Sequence, residues 1–153
     1  MKILIIILMS LTGLNAIAHD DMAVSVNPNW TELNGTWESI ESEYKPGAEI
    51  RGRLNFNLYK AQHTPHLHVA QGEYQLTSIC SFYDGNVLQS TAKTRVSVNG
   101  NQVQTWDPVQ SSSQLGNKYC TASIPQQVFS FEVKNHVLIM YTNIGKYYFQ
   151  RSY

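Results

Sequence analysis

Charge is scarce in this chain: 14% of the 153 residues are charged, and the two signs balance at 11 each. That balance excludes the basic excess a nucleic-acid binder needs to neutralise phosphates, so no nucleic-acid partner is expected. Long apolar runs are missing too; none reaches the ~20 residues of a spanning helix, so the chain is not expected to cross a membrane that way. No stretch carries a sustained helical period, which removes bundles and α/β folds. Gly-x-Ser-x-Gly, His-Glu-x-x-His, phosphate-loop and dinucleotide glycine patterns are all absent. No acid, base and nucleophile converge, and the chain reads as a non-enzyme with no cofactor.

What is present begins with a leader. Lys2 precedes an apolar run over residues 3–9 that continues through Leu11 and Leu14 and ends in Ala16-Ile17-Ala18. A basic start, a short apolar core and a small-x-small exit read as a secretory signal peptide over residues 1–18. With no cysteine at the cleavage point, a lipoprotein anchor is not expected. The exported part is roughly 135 residues long, one domain's worth. Cys80 and Cys120, both inside it, are expected to form a disulfide in an oxidising compartment. A redox or metal-binding thiol pair is the rival, disfavoured by the wide spacing.

Residues 19–32 have no period and contain the turn Asn27-Pro28-Asn29, so they read as an N-terminal arm that Trp30 pins to the body. The body spans residues 33–153. Residues 35–44 read as a first strand, closed by Lys45-Pro46-Gly47. Over residues 51–59, Leu54, Phe56 and Leu58 alternate with Arg53, Asn55 and Asn57, a period of two that predicts a strand with one buried face. Residues 73–83 form another candidate, ended by Asp84-Gly85-Asn86. Asn99-Gly100 is the strongest hairpin signal. Residues 108–118 read as the longest irregular loop, residues 119–124 as a short strand, and residues 128–133 and 136–142 as a hairpin about Lys134-Asn135. The final run covers residues 146–153. Eight to ten short strands in sequential hairpins predict an all-β fold, a single antiparallel up-and-down barrel.

With the strands placed, Gly35-Thr36-Trp37 resembles the Gly-x-Trp that opens the first strand of lipocalins and wider calycin barrels. Phe129-Ser130-Phe131-Glu132-Val133, Asn135, Val137-Leu138-Ile139-Met140-Tyr141, Gly145 and Tyr147-Tyr148-Phe149-Gln150-Arg151 look like the closing hairpins of small bacterial lipocalin-like secreted domains. The resemblance implies that Trp37 crosses the closed barrel end beneath Arg151 in a structural role. It also implies a barrel that takes a small ligand.

Alternation turns Leu54, Phe56, Leu58, Tyr74, Leu76, Val96, Val98, Val103, Phe129, Phe131, Leu138, Met140, Tyr147 and Phe149 inward. Phe56, Leu58, Tyr74, Phe129, Phe131, Met140, Tyr147 and Phe149 are the candidates to line a cup for an apolar or amphipathic molecule; the same residues would serve equally to fill a core. His63, His66 and His68 are the densest metal-type cluster, with His136 or His19 as further ligands, against the plainer reading of a polar loop at a proline. Glu38, Glu41 and Glu43 read as a solvated strand edge. Two sequons, at Asn29 and Asn34, are incidental in a periplasmic protein.

The leading expectation is therefore a secreted or periplasmic lipocalin-like barrel binding a small amphipathic molecule. The alternative is a barrel that binds another periplasmic or extracellular protein, as an inhibitor of a protease or other hydrolase, through residues 19–32 or residues 108–118. An outer-membrane barrel, suggested by the aromatic ending, is disfavoured by the short strands and by Arg151.

Overall fold

A computed structural model describes residues 30–61 and 69–153. One helical turn, α1 (Trp30–Leu33), precedes eleven strands: β1 (Gly35–Ser39), β2 (Glu43–Lys45), β3 (Ala48–Lys60), β4 (Val69–Phe82), β5 (Val87–Asn99), β6 (Gln102–Thr105), β7 (Val109–Leu115), β8 (Lys118–Ile124), β9 (Val128–Lys134), β10 (Val137–Thr142) and β11 (Gly145–Ser152). Eight of them, β1, β3, β4, β5, β6, β9, β10 and β11, pair antiparallel in chain order. β1 then closes the ring by pairing with both β11 and β3. The result is a closed up-and-down barrel, with β2 as an extra strand on β3. Closure gives each of the eight ring strands a neighbour on both sides, although β5 meets β6 only over residues 96–99 and β3 meets β1 only over residues 53–56.

Two departures from the sequence pattern shape the molecule. The expected strand over residues 35–44 breaks into β1 and β2. Ser39 Oγ accepts the Gly52 N–H at 3.0 Å, holding β1 to β3 at the point where the chain leaves the ring. Residues 108–118 are mostly strand rather than an irregular loop, for β7 pairs with β8 from Val109↔Ile124 to Leu115↔Lys118. Serine-rich composition masked this strand, because hydroxyls tie it to β5. Ser111 accepts from Ser90 at 3.1 Å, Ser113 donates to the Gln89 carbonyl, and Ser112 and Thr121 share a bond at 2.8 Å.

The β7–β8 hairpin lies against β4 and β5 without joining their sheet. Cys80 and Cys120 form the disulfide that pins it there. Ala122 and Ile124 of β8 enter the main core beside Leu54, Phe56, Val96, Val98, Val103, Phe129 and Leu138. A second, smaller cluster surrounds the bridge: Ala48, Ile50, Phe82 and half-buried Leu88. The hairpin thus covers the inward side chains of the long β3–β4–β5 strands beyond the reach of the shorter ring strands.

Trp37 has no exposed surface. Its Nε1 donates to the Leu33 carbonyl at 2.8 Å, and the Arg151 guanidinium lies 4.2 Å from its ring centroid. Arg151 donates in turn to the carbonyls of Asn34, at 2.8 Å, and Glu32. Gly35 makes this approach possible. Its φ of +108° belongs to glycine, and a Cβ there would stand 3.1 Å from the arginine.

Candidate functional site

The inward residues come together, but as a packed core. Phe56, Leu58, Tyr74, Phe129, Phe131, Met140 and Phe149 are each at most 8% exposed, and Tyr147 is half-buried at their margin. The Phe56 and Tyr74 rings stack with centroids 4.8 Å apart, and Phe129 approaches Tyr74 at 6.3 Å. All seven belong to the one core cluster.

Burial pushes the Tyr74 phenol well above its ordinary pKa, because the phenolate would be stranded away from water. The linkage has a definite sign. Above about pH 10 the unfolded chain releases a proton that folded Tyr74 keeps, so stability is intact below that pH and falls above it, by about 1.4 kcal/mol per unit for one group. Urea midpoints at pH 8, 10 and 11 are expected to fall more steeply in the parent protein than in Tyr74→Phe. Equal slopes would show that Tyr74 ionises freely in the folded state.

His63, His66 and His68 lie outside the described residues, as do His19 and most of the expected arm. Among the described residues no three metal-type side chains cluster. His136 sits at the β9–β10 turn with φ +63°, 3.4 Å from the Tyr153 hydroxyl. Glu38 is paired with Arg53 at 2.8 Å and Glu43 with Lys45, both at the surface.

A different feature has the form of a binding site. On the outer face of β3–β4–β5 lies a half-open groove of about 560 Å³, lined by Asn57, Tyr59, Gln71, Gly72, Glu73, Arg95, Val96 and Trp106. Its floor follows from register: Asn57, Glu73 and Arg95 are cross-strand neighbours, and Tyr59 pairs with Gln71 one step on. Trp106 follows β6 and donates its backbone N–H to the Arg95 carbonyl at 3.2 Å. Gly72 lets the strands crowd here, since a Cβ would stand 2.0 Å from the Asn57 carbonyl oxygen. Tyr59 and Trp106 are 57% and 45% exposed although both are large aromatics. The charges are already matched: Arg95 to Asp107 at 3.0 Å and Glu73 to Lys93 at 2.6 Å.

The sequence held a signal for this groove. Tyr59 ends the alternating run at a position of solvent-facing parity, where an aromatic has no packing reason to stand. Trp106 carried no such mark, because its place follows from how β6 meets β5.

Three hairpin tips meet at the opposite end of the long strands. Tyr83 donates its backbone N–H to the Gly47 carbonyl at 3.2 Å, joining the β4–β5 and β2–β3 turns. Lys118, beside the β7–β8 turn, pairs with Asp84 and lies over the Phe82 ring at 5.6 Å. That hydrogen bond from Lys118, with the Asn86 N–H, holds the Asp84 carboxyl below its usual range. Tyr44, Tyr83, Val87 and Leu115 of these elements are half or more exposed.

Fold and bridge together define a class: an eight-stranded antiparallel β-barrel with one disulfide, a layout compatible with a lipocalin-like fold. Comparison with known protein families, with curated proteins and with solved structures returned no match.

Proposed function

We propose that the protein is an exported, non-catalytic binding barrel that takes up a small amphipathic molecule, and that the molecule sits in the outer groove rather than inside the barrel. One contrast carries this reading: the interior is filled by stacked rings and by β8, whereas the groove is open beside Tyr59 and Trp106. Its volume falls in the roughly 300–1,000 Å³ range of small-ligand sites. The disulfide supports export, since such bridges persist in oxidising compartments.

The three hairpin tips favour a second reading. Exposed Tyr44, Tyr83, Val87 and Leu115 form an aromatic and aliphatic edge, the composition of a protein-binding surface and the end from which an inhibitor of a hydrolase would act.

Native mass spectrometry of the protein from its own host compartment separates the two. Added mass of a few hundred daltons, released on denaturation and lost in Trp106→Ala, supports the groove. A co-purifying protein, lost when Tyr44 and Tyr83 are both changed to alanine, supports the edge. Small-molecule mass that survives Trp106→Ala would place the ligand elsewhere and overturn the groove.

A further inference from the structure

Resting on the groove reading, we infer that its ligand is a neutral saccharide, bound by stacking on Tyr59 and Trp106 with its hydroxyls held by Asn57, Gln71, Glu73 and Arg95. The chemistry of the lining narrows the class by elimination. An anion would need an excess of positive charge, but Arg95 is balanced by Asp107 at 3.0 Å. A cation would need an excess of negative charge, but Glu73 is balanced by Lys93 at 2.6 Å. A lipid chain would need an enclosed apolar wall, but the groove is half-open and Asn57, Gln71, Glu73 and Arg95 stand among its lining residues. An extended peptide would add to an unpaired strand edge, whereas the groove's floor is the face of strands already paired, Asn57 to Glu73 and Glu73 to Arg95.

What the lining does offer is two half-exposed aromatic rings and four planar polar groups on one surface. An aromatic face is electron-rich and favours the weakly positive C–H groups on the flat side of a pyranose. Amide, carboxylate and guanidinium groups supply donors and acceptors for the hydroxyls at the ring's edge. Such groups stay useful after pairing. A carboxylate keeps lone pairs beyond those one lysine takes, and a guanidinium carries five N–H donors, of which Asp107 engages two. The groove needs no net charge to hold such a ligand, and its own ion pairs leave it with none.

The test uses the exported protein, ¹⁵N-labelled, titrated with neutral soluble hexasaccharides of glucose, mannose, galactose and N-acetylglucosamine. Three tryptophans give three indole N–H resonances, and the one missing in Trp106→Ala identifies Trp106. At least one sugar is expected to shift that resonance saturably. Affinity should fall about tenfold or more in Tyr59→Ala and in Trp106→Ala, as for aromatic anchors generally. Trp106→Phe should keep most of it, and Ile144→Ser, at the distant β10–β11 turn, all of it.

If none of the four sugars shifts Trp106, or if binding persists in the Tyr59→Ala, Trp106→Ala double variant, the saccharide inference is overturned. The broader groove reading would survive that result only if a non-saccharide ligand seen by native mass spectrometry is lost in Trp106→Ala. A ligand retained there defeats both.

Discussion

Trp37→Ala is expected to lower the unfolding free energy by about 3–5 kcal/mol, the cost of emptying a fully enclosed large aromatic site. Three effects add at this position. The indole has no exposed surface, so its whole transfer energy is lost and a cavity is left. Its Nε1 no longer satisfies the Leu33 carbonyl, and that residue is itself fully buried. Arg151 loses the ring it stacks on at 4.2 Å. Trp37→Phe separates the terms by keeping most of the volume while orphaning the carbonyl; a loss of about 1–3 kcal/mol is expected. Urea denaturation followed by circular dichroism reads both. A loss below 1 kcal/mol in the alanine variant would mean that the barrel end is not built on this residue.

Replacing Cys80 and Cys120 together by serine is expected to cost about 4 kcal/mol on the chain-entropy account of a loop of this size, with the melting temperature falling by roughly 10–20 °C. The bridge closes a separation of 40 residues. Its position adds a second, local consequence. Apart from the small apolar cluster around the bridge and Val109, Ala122 and Ile124, the β7–β8 hairpin is held to β5 by hydroxyl hydrogen bonds. Each such bond contributes only about 0.5–1.5 kcal/mol. Hydrogen exchange in the serine variant should therefore rise first in β7 and β8, with β3 and β4 still protected. Uniform loss of protection would show that the hairpin and the ring unfold as one unit.

These two sites were legible to different degrees. Trp37 and Arg151 stand 114 positions apart, and local pattern places each on a strand without saying that they meet; only the resemblance to lipocalin-like ends suggested it. Their meeting depends on β1 pairing with β11, from Thr36↔Ser152 to Ser39↔Phe149. The cysteine pair was legible from its even count and the expectation of an oxidising compartment. Its role as a pin for an inserted hairpin was not, because the Ser111-Ser112-Ser113 run has neither apolar alternation nor strong β propensity. The groove stood between these cases: Tyr59 broke the solvent-facing pattern of β3, while Trp106 entered only through the fold.

By itself the sequence determined what is local. Period-two alternation, Asn-Gly and Gly-bearing turns, and the absence of helical period were enough to make strands, hairpins and an all-β class, since each signal acts within ten or so residues. The tertiary structure decided what depends on closure. Inward parity is the same for a residue that lines a cup and one that fills a core; the choice fell to β8, whose Ala122 and Ile124 occupy the interior beside the ring's aromatics. With that volume taken, packing density leaves the apolar rings to one another. Among the described residues an open groove lies on the outside, where Tyr59, Glu73, Arg95 and Trp106, from three strands and the end of a fourth, stand side by side only because those strands are in register.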